Sequence, residues 1–145
     1  MGRNEHLMEV RQHWDFFMVY AVEDQEAIAR PLADALNARG VLVWYVDYSL
    51  KGGDNLQKCV DYGLSRSRRG IVILSEHFLG KRWPEQELKD LASREVDRKK
   101  AILPVWHKVG FRQVAECSPE LAERLAVSTD KGLEYAVERI LEATK

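Results

Sequence analysis

The run Trp14-Asp15-Phe16-Phe17-Met18-Val19-Tyr20-Ala21-Val22-Glu23-Asp24 decides the fold. From Phe16 to Tyr20 it is apolar at every position, not at every second one. That is the pattern of a strand buried on both faces, as in a parallel sheet covered by helices. Asp24 then offers an N-cap to a helix carrying Ile28, Leu32, Ala35 and Leu36 at helical spacing, and Gly40 ends it.

Outward from this run the alternation repeats. Val41 to Tyr45 predicts a second strand. Leu56, Val60 and Leu64 predict a second helix, with Gly63 as a weak point inside it. Gly70 precedes a third strand, Ile71 to Leu74, that ends at Ser75. Trp83, Glu87, Leu88, Leu91 and Ala92 predict a helix with Pro84 in its first turn. Ala101 to Trp106 reads as a fourth strand. Pro104 inside it implies a bulge or a place near the sheet edge, because proline cannot donate to a ladder. Gly110 to Pro119 has no legible pattern. Leu125 to Val127 is a weak fifth strand, and Tyr135, Val137, Ile140 and Leu141 mark a closing helix. Strands separated by helices imply right-handed crossovers. The expected architecture is an α/β, flavodoxin-like three-layer sandwich, with a five-stranded parallel sheet of order 2-1-3-4-5. Residues 14–145 form the domain, and residues 1–13 read as a flexible leader or linker remnant.

Composition narrows the function classes. The chain has 145 residues, 46% hydrophobic and 31% charged, as in an ordinary globular domain. Its 22 Lys and Arg against 23 Asp and Glu give a net charge of -1, without the basic footprint of a dedicated nucleic-acid binder. The basic runs Arg66 to Arg69 and Arg98 to Lys100 read as solvated helix ends. Cys59 and Cys117 form no CxxC pair and read as reduced, partly buried thiols. The histidines His6, His13, His77 and His107 show no metal-binding spacing, so no metal site is expected. No apolar run spans a bilayer and no signal segment precedes the domain, so a cytoplasmic, membrane-free location is expected.

In this architecture ligands bind beyond the carboxyl ends of the strands, where the winding direction reverses. That gap lies between strands one and three. It is bordered by Ala21 to Asp24 and by Ser75 to Trp83. Trp83 and Glu87 are spaced i, i+4 and share a helix face, with Leu91 continuing the line. Two readings stay open for Glu87. One is an acid at a helix start, stabilised by the dipole, which spacing by itself favours. The other is a carboxylate aimed into a crevice. The loop Asp47-Tyr48-Ser49-Leu50-Lys51-Gly52-Gly53-Asp54 is an ordinary connection or a cover for a ligand or partner; it lacks the P-loop spacing. Ser75 either bonds a ligand or caps the turn, and no GxSxG surrounds it. His107 reads as a solvated loop residue or one that reaches the crevice edge.

Taken together, these segments resemble a TIR domain of the bacterial and archaeal kind, from about Trp14 to Lys108 and more loosely onward. Trp14 to Asp24 resembles the first box of the family, although Val19 and Val22 stand where serines are common. Leu50-Lys51-Gly52-Gly53-Asp54 is similar to the BB loop. Gly70 to Ser75 resembles the Val-Leu-Ser strand, and Trp83-Pro84-Glu85-Gln86-Glu87-Leu88 matches the WxxxE segment. Ile102 to His107 resembles the fourth strand, including its proline. The resemblance implies one of two functions. One is cleavage of NAD+ into nicotinamide and ADP-ribose or a cyclic isomer, with Glu87 catalytic and no further cofactor, in microbial immune signalling or virulence. The other is a non-catalytic scaffold for TIR–TIR interaction. On the enzymatic reading, Trp83, Tyr20, Ala21, Val22 and Ser75 are expected to contact substrate, with Trp83 or Tyr20 stacked on the nicotinamide. Tyr48, Leu50, Lys51, Gly52, Gly53 and Asp54 are expected to serve homotypic assembly. A receiver domain is excluded because Leu74-Ser75 stands where its phosphoacceptor aspartate would be. A nucleoside deoxyribosyltransferase is disfavoured by the BB-loop and Trp106-His107 segments.

Overall fold

The computed structural model of the chain describes residues 14–45, 49–51, 53–96 and 99–144. The leader 1–13, Tyr48 and Gly52 lie outside the described residues. β1 (Trp14–Ala21) runs into a 3-10 turn (Val22–Asp24), a π turn (Gln25–Ala29) and α1 (Arg30–Ala38). Then follow β2 (Val43–Trp44), β3 (Ser49–Leu50), α2 (Leu56–Leu64), β4 (Ser67–Leu74), α3 (Glu76–Leu79) and α4 (Glu85–Ser93). The chain continues through β5 (Glu95–Val96), β6 (Lys99–Lys100), β7 (Ile102–Trp106), α5 (Phe111–Cys117), α6 (Pro119–Ala122), β8 (Val127–Ser128) and α7 (Leu133–Ala143).

The main sheet is parallel, in the order β2-β1-β4-β7-β8. Counted by the five predicted strands, this is the order 2-1-3-4-5. The sheet nevertheless has six strands, not five, because β3 also pairs with β1, Tyr20 opposite Ser49 and Ala21 opposite Leu50. A separate antiparallel pair, β5 and β6, takes up Lys99 and Lys100, and Ser67 to Arg69 open β4. Arg66 directly follows the C-cap of α2, whereas the described residues Ser67 to Arg69 and Lys99 to Lys100 lie in strands, not helix ends. The unreadable stretch Gly110 to Pro119 holds α5 and the first residue of α6, and the last strand starts at Val127, later than expected.

Along β1 the side chains alternate between two cores, which is what a strand covered on both faces requires. Phe16, Met18 and Tyr20 pack with Leu32 and Leu36 of α1 and Ile140 of α7. Phe17, Val19 and Ala21 pack with Leu56 and Val60 of α2 and Leu88 and Leu91 of α4. The result is three layers. Gly63 is explained by this packing. A Cβ there would stand 2.3 Å from the Phe17 ring, so the loss of helix propensity is the condition for α2 to approach β1.

Pro104 forms no bulge and pairs in register with Val72. The backbone N–H of His107 donates to Leu74 on β4, while the Trp106 carbonyl accepts from Thr129 on the opposite side. Backbone groups alternate in side along a parallel strand, so the Pro104 nitrogen faces β8. That strand begins only opposite Val105. Proline therefore removes no ladder bond, which answers to the edge placement of the sequence reading. Cys59 is half-buried as expected, and burial pushes its thiol up to about 12; Cys117 is exposed, contrary to expectation. Among the described residues, no helix is long and apolar enough to cross a membrane.

Candidate active site at the carboxyl edge of the sheet

Glu87 sits in the first turn of α4. Pro84, in extended conformation at the N-cap, accepts its backbone N–H at 3.0 Å. The side chain is half-buried and turned toward α2, 31 residues away in sequence. Its Oε1 accepts the backbone N–H of Leu56 at 2.9 Å and of Gln57 at 3.3 Å. Asn55, at the N-cap of α2, accepts from the N–H of Lys58 at 2.8 Å. The first N–H groups of a helix lack partners within it. Here Glu87 and Asn55 satisfy three of them. Among the described residues, the second oxygen of Glu87, Oε2, has no bonding partner.

Trp83, four residues earlier, is only 8% exposed. Its ring packs against Phe78, centroids 5.5 Å apart, and its Nε1 donates to the Phe78 carbonyl at 3.0 Å. Tyr20 is fully buried on the other face of the sheet and donates its hydroxyl to the Tyr45 carbonyl. In this conformation both rings belong to the core. Ala21 is buried and Val22 half-buried at the end of β1. Leu50 is buried, whereas Lys51, Gly53 and Asp54 are exposed. Asp54 closes this loop, its carboxylate accepting from the N–H of Lys51 at 2.7 Å and its own N–H donating to the Lys51 carbonyl.

A second group surrounds Ser75. Its hydroxyl donates to the Asp24 carboxylate and accepts from the N–H of Phe78 at 3.0 Å, capping α3. Asp24 is 4% exposed and makes no cap bond to the helix it precedes, contrary to the sequence reading. The two residues line a cavity of about 270 Å³ with Glu23, His77, His107 and Lys108. Glu87 is not part of that lining. His107 does reach the crevice: Nδ1 lies 2.8 Å from Thr129 Oγ1, and burial holds its pKa below 6.5, outweighing the pull of Asp24. The expected crevice residues thus divide. Ser75 lies in this cavity, and Glu87 lies against the first turn of α2, which begins two residues after Asp54. Sequence reading passed over Asn55, although an asparagine just before an apolar helical run is a readable cap signal. Among the described residues, no cluster of three or more metal-ligating side chains occurs.

The match to known families decides what this arrangement belongs to. A family model described as TIR domain covers residues 16–141. The chain belongs to the TIR domain family. An NAD(+) hydrolase, TcpA, of Theionarchaea archaeon (strain DG-70-1) is 45% identical over 134 residues, 92% of this chain and 41% of that protein. A 2' cyclic ADP-D-ribose synthase, BtTIR, of Bacteroides thetaiotaomicron is 46% identical over 125 residues, 86% of this chain and 44% of that protein. The chain therefore spans less than half the length of these relatives. The TIR domain of a Toll-related receptor from Hydra magnipapillata superimposes with a TM-score of 0.61 at 20% identity, covering 90% of this chain and 96% of the receptor domain. At that identity the likeness concerns the fold. The WxxxE residues Trp83 and Glu87 both fall inside the matched family segment.

Proposed function

We propose that this TIR domain cleaves NAD+ at the bond between nicotinamide and ribose, with Glu87 as the catalytic carboxylate. The observation that carries the reading is the state of that side chain, one oxygen tied to a helix N-terminus and the other without a partner among the described residues. The names of the relatives, an NAD(+) hydrolase and a 2' cyclic ADP-D-ribose synthase, support the same chemistry.

A single carboxylate suffices for it. Nicotinamide is cationic when bound to ribose and leaves as a neutral molecule, so the leaving group needs no general acid. Ordinary glycosidases do need one and carry two carboxyl groups. Positive charge develops on the ribose as the bond breaks. A fixed anion in a water-poor site stabilises that charge. Capture of the ribosyl cation by water gives ADP-ribose, and capture by a group of ADP-ribose itself gives a cyclic isomer. NAD+ is thus substrate, and no further cofactor is required.

Homotypic assembly belongs to the same proposal. Lys51, Gly53 and Asp54 are exposed beside α2, so a neighbouring TIR domain that docks on this loop reaches the Glu87 corner. The test is chromatography of NAD+ incubated with the protein. Wild type is expected to release nicotinamide, at a rate per molecule that rises with protein concentration. Glu87→Gln keeps an oxygen able to accept from Leu56 and Gln57 but removes the charge, and is expected to lower the rate at least about 10³-fold. Equal release by the two proteins, or none by concentrated wild type, overturns the assignment.

A further inference from the structure

We infer that the first turn of α2 is the positioning element of the reacting carboxylate, and that Asn55 is a positioning residue for the reaction. The inference rests on the reading of Glu87 as catalytic. It begins with hydrogen-bond accounting. Leu56, Gln57 and Lys58 are the first three residues of α2, and their N–H groups have no acceptors within the helix. The Asn55 side chain accepts only from Lys58, and the Leu56 and Gln57 groups donate to Glu87 on another helix.

For the carboxylate this has two consequences. Two donors converge on Oε1, so rotation about the terminal torsion of Glu87 is restricted. Such torsions are otherwise broad and soft. The substrate-facing role then falls to Oε2 alone, with a defined direction. The helix dipole adds a positive field at the same point, favouring an anion there. Catalytic rates depend steeply on such placement, and a displacement of about 1 Å can cost about 10²-fold. Asn55 acts one step removed. Its side-chain bond to Lys58 holds the first turn in helical form, which is what aims the Leu56 and Gln57 N–H groups at Glu87.

Substitution at position 56 separates the backbone donor from the side chain. Leu56 is buried, so both Leu56→Ala and Leu56→Pro remove core contacts. Only Leu56→Pro also removes the N–H that donates to Glu87. Proline is tolerated at the first helical position, and the extended backbone of Asn55 (φ -94, ψ 108) suits a residue before proline. In nicotinamide-release assays, Leu56→Pro is expected to show kcat about tenfold or more below Leu56→Ala, with KM within about threefold. Asn55→Ala is expected to lower kcat severalfold, and Asn55→Ser, an equally good cap, to restore most of the loss. The Asn55 pair stands as the test if Leu56→Pro does not fold. Equal kcat for Leu56→Ala and Leu56→Pro, equal kcat for Asn55→Ala and wild type, or a loss confined to KM overturns the positioning role while the NAD+ reading survives. A wild type that releases no nicotinamide removes both.

Discussion

Asp24 and Glu87 are both acids that accept hydrogen bonds near the loops at the carboxyl edge of the sheet, and their environments differ. Asp24 is 4% exposed and meets the hydroxyl of Ser75, which in turn caps α3. It ties the end of β1 to the end of β4. Glu87 is half-buried and engages a helix N-terminus with one oxygen only. Each carboxylate has one oxygen bonded and a second without a bonding partner among the described residues. What differs is donor and depth: a single hydroxyl beside a deeply buried acid, and the backbone N–H groups of a helix start beside a half-buried one. The difference teaches that a free oxygen alone does not mark a reactive acid; on the proposed reading, the more accessible carboxylate held by two converging donors is the one placed to act.

The comparison can be broken most directly at Asp24. Asp24→Ala leaves the buried Ser75 hydroxyl without its acceptor, and is expected to destabilise the protein by about 1–3 kcal/mol in urea unfolding. NAD+ cleavage per folded molecule is expected to persist. Loss of cleavage in an Asp24→Ala protein that unfolds like wild type would place the chemistry at Asp24 and reverse the argument.

A smaller effect sharpens the other side. Glu87→Ala removes a cap as well as the proposed catalytic carboxylate, and is expected to cost about 0.5–2 kcal/mol of stability. Glu87→Gln, which keeps the acceptor, is expected to lose less. Equal unfolding midpoints for Glu87→Ala and wild type would show that the bonds to Leu56 and Gln57 contribute nothing.

The smallest effect concerns pH at the Asp24 cavity. Burial holds the folded-state pKa of His107 below 6.5, so between that lower value and 6.5 the unfolded chain binds more protons than the folded one. Stability is expected to fall as pH drops through this window, and His107→Gln to flatten the profile. Unchanged pH dependence in His107→Gln would remove His107 from the account of the cavity.

Much of the fold was legible in local pattern. β1 and β4 announce themselves by unbroken apolar runs, and α2, α4 and α7 by apolar residues at helical spacing. The edges were not legible, for a physical reason. β2, β3 and β8 are two residues long, and a period cannot be read from two positions. α5 and α6 were hidden because each presents few buried positions, Val114 in one and Leu121 and Ala122 in the other. At the site, spacing put Trp83 and Glu87 on one helix face but could not say that the indole would be absorbed into the core against Phe78. Asp24 looked like a helix cap because aspartate before a helix normally is one, and Ser75, 51 residues away, proved to be its partner.

By itself the sequence determined the alternation of strand and helix, the burial of the central strands on both faces, and the placement of a glutamate at a helix start. These follow from neighbours within a few residues, whose spacing is set by backbone geometry. Only the tertiary structure decided what Glu87 touches. Its donors lie 31 residues away on α2, and they reach it because two helices pack side by side on the same face of the sheet. Hydrogen-bond partners that remote leave no period in the chain, since they are chosen by packing and not by the local course of the backbone.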